Sequence, residues 1–279
     1  MEQDKATLHS AAARIREALI KAARILPPDA ASMINNAIAE GGKAECVLSA
    51  IKENLKVASE TGLPMCQDTG AFWCMVTVGR DSDASLRDIE SVVLEGTRKA
   101  AEEGFFRKSI VADPVRERKN TGNNLPPFIF YELGTGSDVE VSFLLKGFGS
   151  ENCSQIRMLN PTAGEEGVVQ AVREMMEKAG GKPCPPVFLG VGIGGTMDRA
   201  AFLSKKAFFR ESEDPVLSEK IMEAVNSLGI GPGGLGGMPT VLSVSVAVEP
   251  THIAGLPVAL TVNCWAERKA VVRFGKGEI

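Results

Sequence analysis

The chain has 279 residues, of which 44% are hydrophobic and 24% are charged, with a formal net charge of −4 and a pI near 5.5. This composition excludes a disordered chain, and an acidic chain without a dense Lys/Arg run is not expected to bind nucleic acid. The longest apolar runs, such as LPVALTV at 256–262, are too short to span a membrane, and the N-terminus is too acidic for a signal or transit peptide. We therefore expect a folded cytoplasmic protein.

The first 62 residues carry helical spacing. Ile15, Leu19 and Ala22 fall on one helical face, a second helix starts after two prolines, and a third ends at Gly62 in the manner of a C-cap. These patterns predict an all-helical N-terminal section over residues 1–62.

Residues 63–279 alternate short β-rich runs with helices and Gly-rich turns. The patterns predict strands at 72–79, 126–133, 139–147, 186–195, 240–249, 257–264 and 269–275, and helices at 85–104, about 165–179, 197–208 and 215–228. Because no low-complexity linker interrupts them, we predict a single α+β domain over 1–279, with a helical N-terminal layer and a mixed β-sheet section.

Three of the six cysteines stand where a loop meets a predicted strand: Cys66 in PMCQDTG, Cys184 in GKPCPPVF and Cys264 in TVNCWAER. Six cysteines in a chain of this length indicate reduced thiols or metal ligands rather than a disulfide framework. Their separations of 118 and 80 residues (184 − 66 and 264 − 184) exclude a zinc knuckle. Spacing alone leaves two interpretations open: one site assembled by the whole fold, or three unrelated buried thiols.

The other cysteines carry weaker signals. Cys46 and Cys74 fall within apolar helix and strand patterns, which predicts two core thiols. Cys153, in SENCSQ, is left undecided by its surroundings. The glycines gather in clusters at 146–152, 189–199 and 229–240, where they either form ordinary turns or bring backbone close to a ligand.

Six motifs occur in order along the chain: PMCQDTG, NTGNNLPP, KGFGSEN, CPPVFLGVGIGGT, EPTHIAGLPV and VNCWAERKA. Together they resemble the α subunit of the two-subunit class I fumarate hydratases and L-tartrate dehydratases, which are iron–sulfur hydro-lyases. The resemblance implies that Cys66, Cys184 and Cys264 bind a [4Fe-4S] cluster on which the Gly-rich loops converge. One iron would then lack a protein ligand and serve as a Lewis acid for the hydroxyl of the substrate.

The same resemblance assigns two catalytic residues. Asp68, two residues after Cys66, would exchange a proton with the leaving or entering hydroxyl, and His252, in EPTHIAG, would work beside it. Without the resemblance, a structural role is the alternative interpretation of His252. His9, on a polar helix face, is expected to be exposed.

Substrate-binding residues follow from the same matches. Gln67 and Arg107 correspond to positions that bind the substrate carboxylate, a task suited to a planar guanidinium. Only the Arg and Ser of the Arg107 motif are intact, so an ordinary surface arginine is the alternative. Gly147 and Gly149 would bring backbone N–H groups toward the substrate. Cys153 occupies a variable position of the family and is treated as a bystander.

The resemblance also implies a partner. In the family, the remaining cations of the active site come from a swivelling β domain, and nothing that follows Phe274 resembles such a segment. We expect a separate β subunit, a dimer of αβ units, and an oxygen-sensitive enzyme that hydrates fumarate to (S)-malate. L-tartrate and mesaconate are the alternative substrates, because pockets that differ by one hydroxyl or methyl cannot be distinguished in the sequence.

Two other functions remain open. GVGIGG, at Gly190 to Gly195, fits the dinucleotide fingerprint G-x-G-x-x-G, and Glu211 follows at the distance of a ribose-binding acid. Against an NAD-dependent oxidoreductase, the segment before Glu211 is charged rather than strand-like. A non-catalytic cluster-binding scaffold would need neither Asp68 nor His252.

Overall fold

The computed structural model describes residues 2–39 and 42–279. The chain forms two compact units: unit 1 contains Met1–Pro27, Asn54–Gly147 and Arg268–Ile279, and unit 2 contains Pro28–Glu53 and Phe148–Glu267. Each unit has its own mixed four-stranded sheet, which confirms the predicted α+β class. The predicted N-terminal section is helical but is divided between the two units. A single domain over 1–279 remains a prediction.

Unit 1 is built on a sheet with the strand order β2-β1-β3-β8. Its strands are β1 (Ala71–Gly79), β2 (Phe128–Gly134), β3 (Val139–Lys146) and β8 (Lys269–Phe274), and its helices are α1 (Glu2–Arg24) and α4 (Leu86–Glu103). Helix α3 (Gly42–Thr61) begins in unit 2 and ends in unit 1.

The core of unit 1 lies between its sheet and two helices. The predicted apolar face of α1 is confirmed, since Ile15 and Leu19 are fully buried among side chains of β1, β3 and α4. Ser85 is the N-cap of helix α4, and its hydroxyl accepts the Asp88 N–H at 3.1 Å. Gly96 of α4 lets α1 approach closely, because a Cβ there would lie 2.6 Å from Cγ2 of Ile15.

The strand register of unit 1 brings several loops to one edge of the sheet. Ala71, the first residue of β1, pairs with Lys146, the last residue of β3. Lys269, the first residue of β8, pairs with Leu144 near that same end. The segments before β1, after β3 and before β8 therefore meet at this edge, which we call edge 1.

Unit 2 is built on a sheet with the strand order β4-β7-β5-β6. Its strands are β4 (Gln155–Leu159), β5 (Val187–Gly195), β6 (Val241–Thr251) and β7 (Leu256–Asn263). Its helices are α2 (Pro28–Asn36), α5 (Phe148–Glu151), α6 (Gly164–Ala179), α7 (Met197–Lys206) and α8 (Pro215–Asn226). The core holds the apolar faces of α6 and α8, with side chains such as Val172, Met175 and Ile221 fully buried.

The register of unit 2 also gathers loops at one edge. Phe188, near the start of β5, pairs with Asn263, the last residue of β7. Val187 pairs with Val241, the first residue of β6, and Gln155 of β4 pairs with Leu260 of β7. The segments before β5, before β6, before β4 and after β7 therefore share an edge, which we call edge 2.

Most predicted elements are confirmed within one or two residues, and Gly62 ends α3 with a left-handed φ of 70°. The sequence patterns missed β4 and the short α5.

The core prediction for Cys46 is wrong: this thiol is exposed on α3, because its apolar neighbours bury only one face of the helix. Cys74 is buried and His9 is exposed, as predicted. None of the helices in the described ranges combines the length and apolar character needed to cross a bilayer.

Candidate functional site

The loop between α3 and β1 places Cys66, Gln67 and Asp68 at edge 1. Met65, just before them, is held on both sides: its N–H donates to the Ala23 carbonyl at 2.9 Å, and its carbonyl accepts from the Asn54 side chain at 2.7 Å. Cys66 and Asp68 are half-buried and Gln67 is exposed. The predicted ligand therefore follows directly on an anchored, buried residue.

Asp68 is fixed through both its backbone and its side chain. Its Oδ1 accepts the Gly70 N–H at 3.1 Å, which closes a local turn. Its carbonyl oxygen accepts from Nη1 of Arg268 at 2.7 Å. The carboxylate that the resemblance assigns to proton transfer is thus held at edge 1 by two contacts within unit 1.

Arg107 lies in an exposed segment that is tied to the same loop. The Arg107 N–H donates to Oγ1 of Thr69 at 2.9 Å. Asn124, only 1% exposed, accepts the Ser109 N–H at 3.2 Å and donates to the Gly70 carbonyl at 3.1 Å. The guanidinium of Arg107 is therefore carried on backbone that is anchored beside Asp68.

Gly147 lies at the end of β3, in contact with Asp68. A Cβ on Gly147 would lie 3.3 Å from Oδ2 of Asp68 and 3.4 Å from Nη2 of Arg268. The preceding residue, Lys146, is a buried cation whose ammonium donates to the Gly147 carbonyl at 3.4 Å. The structure thus brings the predicted Asp68 and Gly147 together in unit 1.

Cys184 lies at edge 2, just before β5, and is exposed. Its φ of 56° is left-handed, a conformation that is uncommon for a residue other than glycine. A glycine-rich turn supports this backbone: the Gly233 N–H donates to the Pro185 carbonyl at 2.7 Å. A Cβ on Gly234 would lie 2.5 Å from the Cα of Gly181, so only glycine permits this approach.

Cys264 and Gly149 lie at the same edge. Cys264 follows β7 directly and is half-buried. Gly149 precedes β4, and a Cβ on it would lie 3.9 Å from the Lys182 carbonyl in the loop that carries Cys184. Strand pairing therefore brings Cys184, Cys264 and Gly149 to one edge of unit 2.

His252 does not join this group within unit 2. It is exposed in the turn between β6 and β7, where its Nδ1 accepts the Ala254 N–H at 3.2 Å. Cys264 follows the opposite end of β7, a strand of eight residues that spans roughly 25 Å at about 3.3 Å per residue. A catalytic role for His252 remains a prediction.

The six thiols differ in their accessibility to solvent. All six cysteines are thiols: Cys46 and Cys184 are exposed, Cys66 and Cys264 are half-buried, and Cys74 and Cys153 are buried. Burial raises the pKa of the Cys74 thiol far above its ordinary value, which keeps it protonated and unsuited to metal. The Cys153 thiol donates to the Gly149 carbonyl at 3.4 Å.

In donor chemistry, the thiols of Cys66, Cys184 and Cys264 suit an iron–sulfur cluster. In the described residues, no three His, Cys, Asp or Glu side chains are close enough to hold a single metal ion. A cubane requires no such convergence on one ion, because its thiolates bind different irons and stay further apart. Thiolates are the usual ligands of iron–sulfur clusters, so the donor chemistry of each of these cysteines fits such a group.

Some residues at edge 1 were missed by sequence reasoning. They are Thr69, Asn124, Lys146 and Arg268, which contact Arg107, Gly70, Gly147 and Asp68 respectively. Each stands inside one of the six family motifs, so the signal was present. Their roles depend on contacts between segments far apart in sequence, which a motif does not show.

The strand β5 contradicts a dinucleotide site. Gly190 and Gly192 lie inside the strand, where a Cβ would meet backbone of α7 at 2.0 Å and 2.1 Å respectively. The fingerprint requires its glycines in the turn after the strand, next to the pyrophosphate. Glu211 follows a short 3₁₀ turn at Ala207–Phe209 and not a second strand. The nicotinamide interpretation is therefore wrong, and these glycines serve helix–strand packing.

Comparison with known proteins identifies the family of the chain. Residues 12–273 match the family model described as fumarate hydratase (fumerase). The chain belongs to this family. The protein named "Putative L(+)-tartrate dehydratase subunit alpha" from Methanocaldococcus jannaschii is 40% identical over 272 residues, covering 91% of this chain and 94% of that protein. The L(+)-tartrate dehydratase subunit alpha of Escherichia coli strain UTI89 is 32% identical over 230 residues, covering 79% and 76%. The predicted resemblance to a hydro-lyase α subunit is confirmed.

Proposed function

We propose that the chain is the cluster-binding α subunit of an iron–sulfur hydro-lyase that reversibly adds water to a small dicarboxylate, with fumarate as the first candidate. The observation that carries the proposal is the strand register of the two sheets. Each register collects predicted site residues at one edge: Cys66, Gln67, Asp68 and Gly147 at edge 1, and Gly149, Cys184 and Cys264 at edge 2.

The chain's own residues supply distinct functions in this proposal. Cys66, Cys184 and Cys264 hold the [4Fe-4S] cluster, which when bound supplies a Lewis acid for a substrate oxygen. Asp68 donates or accepts the proton of the hydroxyl group that leaves or enters. Gln67 and Arg107 bind a substrate carboxylate, for which an exposed guanidinium on an anchored backbone is suited.

Sequence connectivity supports a common role for the two sets of residues. Gly147 and Gly149 are two residues apart, and Cys264 precedes Arg268 by four.

L-tartrate is the second candidate substrate. The relatives from M. jannaschii and E. coli both carry a tartrate dehydratase name, whereas the family description names fumarate hydratase. Their "subunit alpha" names support the proposal of a separate β subunit. A dimer of αβ units is a further part of the proposal. A cytoplasmic location belongs to the same proposal, because that compartment keeps cluster-binding thiols reduced.

The test is anaerobic cluster reconstitution of the wild-type chain and of Cys66→Ala, Cys184→Ala and Cys264→Ala, with Cys153→Ala as the matched control. We expect four irons per wild-type chain, loss in each of the three variants and retention in the control. The reconstituted chain, combined with a β subunit of this family, is then assayed with fumarate, L-tartrate and mesaconate. A wild-type chain that binds no cluster contradicts the proposal, and so does full activity of the pure α chain or full activity after aerobic purification.

A further inference from the structure

Arg268 is among the largest fully buried side chains of the described residues, with 1% of its surface exposed. Its position is set by backbone: the Leu145 N–H donates to the Arg268 carbonyl at 2.9 Å, next to the start of β8. From there Nη1 donates to the Asp68 carbonyl at 2.7 Å. The buried guanidinium of Arg268 thus binds the loop at Asp68, which lies 200 residues earlier in the sequence.

The guanidinium and the Asp68 carboxylate both lie next to Gly147. A Cβ on Gly147 would lie 3.4 Å from Nη2 of Arg268 and 3.3 Å from Oδ2 of Asp68, so both groups border the same face of this glycine. These distances are shorter than most contacts of a real Cβ, and any side chain at Gly147 would press on both groups. The glycine therefore leaves room for the two charged groups to lie beside each other.

Burial of the Arg268 guanidinium is not expected to stabilise the fold. Its Nε is buried and has no hydrogen-bond partner among the described residues. Removing a guanidinium from water is unfavourable unless its donors are satisfied, and an apolar side chain of similar volume often stabilises a core as well. The groups next to Nη1 and Nη2 therefore indicate why an arginine occupies this position.

We propose that Arg268 is a positioning residue that fixes the direction of the Asp68 side chain. Nη1 donates to the backbone carbonyl, the Gly70 N–H donates to Oδ1, and Nη2 and Oδ2 both lie next to Gly147. Together these contacts restrict both the backbone and the side-chain rotation of Asp68. The kinetic consequence rests on the proposed function, whereas the structural consequence does not.

The structural consequence is tested by amide hydrogen exchange on the full-length chain. Arg268→Met is expected to increase exchange in a peptide covering residues 64–71 by about tenfold or more, since a hydrogen bond to a charged donor is lost there. Val141→Ala, a buried change in β3 of the same unit, is the matched control for general destabilisation. Exchange at 64–71 that rises equally in both variants, or in neither, overturns the proposal.

A second variant keeps the test decisive if Arg268→Met does not fold. Gly147→Ala leaves Arg268 in place but inserts a methyl group against Nη2 and Oδ2. It is expected to raise exchange at 64–71 as well, and unchanged exchange contradicts the proposal.

The kinetic consequence is tested on the reconstituted chain with its β subunit. Arg268→Lys keeps the charge but loses the planar, forked guanidinium. We expect kcat to fall about 100-fold with a much smaller change in KM, because the Asp68 carboxylate would be misplaced while substrate binding is retained. Iron content is expected to equal that of the wild type. An unchanged kcat overturns the proposal. An inactive wild-type complex counts against the proposed function, and hydrogen exchange then decides the role of Arg268 by itself.

Discussion

Phe188 of β5 lies opposite Asn263 of β7 in the antiparallel ladder of unit 2. This single pairing places Cys184 and Cys264 at one edge of the sheet, although 80 residues separate them (264 − 184). The same ladder carries His252 to the opposite end of β7. Register therefore determines which predicted residues of this unit can act together.

Thiol labelling is expected to report the cluster ligands directly. In cluster-free protein, iodoacetamide is expected to modify the accessible thiols and spare the buried ones, because reaction requires exposure of a thiolate. The accessible thiols are Cys46, Cys66, Cys184 and Cys264; the buried ones are Cys74 and Cys153. After reconstitution, only Cys46 is expected to react. Mass spectrometry of the labelled peptides measures this, with Cys46 as internal control. Continued labelling of Cys66, Cys184 or Cys264 removes that residue from the ligand set.

Arg107→Met is expected to weaken substrate binding. Loss of a charge-assisted contact to a carboxylate should raise KM about 10- to 100-fold, with cluster content unchanged. Arg116→Met, an exposed arginine of the same segment, is the matched control. Steady-state kinetics of the complex with its β subunit measures both. Equal effects of the two variants would mean that Arg107 contributes only general surface charge.

Because α7 packs closely against the glycines of β5, a side chain added at one of them is expected to disrupt packing. Gly192→Ala places a methyl group 2.1 Å from the Ala200 carbonyl and is expected to lower the free energy of unfolding by about 1–3 kcal/mol or more. Gly255→Ala is the control, because its new Cβ would lie 3.9 Å from the nearest backbone atom. Chemical denaturation measures the difference. A Gly192→Ala chain as stable as the control would contradict the packing role of this glycine.

The ion pair between Arg199 of α7 and Glu249 of β6 predicts a pH-dependent stability. Nε of Arg199 donates to Glu249 at 2.7 Å, and this bond holds the pKa of the Glu249 carboxyl below its ordinary value. A lowered folded-state pKa adds stability above the unfolded pKa, and that stability is lost as pH falls through the folded value. Glu249→Gln should therefore lower Tm at pH 7 but not in acid below that lowered pKa.

The matched control for this pair is Glu174→Gln, a half-exposed carboxylate paired with Arg157 in the same unit. Because that pair is more exposed, its contribution to Tm is expected to be smaller. Thermal unfolding from pH 7 down to pH 3 measures both variants. A difference in Tm between wild type and Glu249→Gln that does not shrink in acid would contradict the assigned ion pair.

His252→Asn tests the remaining catalytic assignment. If His252 takes part in the reaction, kcat is expected to fall about 100-fold or more, as when a proton-transfer group is lost, with iron content and Tm unchanged. Because His252 lies in an exposed turn, its replacement should not disturb the core of unit 2. Wild-type kcat in this variant would assign the residue a structural or surface role.

The sequence by itself determined the class of fold, the position of nearly every helix and strand, and the identity of the family. Those features depend on local patterns: the apolar period of α1, the alternation of short strands with helices, and motifs such as PMCQDTG. It failed for Cys46, because apolar neighbours in sequence do not tell which face of a helix is covered. It also missed β4, whose five residues are too few for a clear pattern.

Only the tertiary structure decided which distant segments meet. Strand pairing put Arg268 beside Asp68, set Gly190 and Gly192 against α7 and separated His252 from Cys264 within unit 2. These outcomes depend on hydrogen-bond register and on the close approach of helices to strands, which involve residues far apart in the chain. A local pattern contains no information about such a partner, so the residues that support the site emerge only when the sheets form.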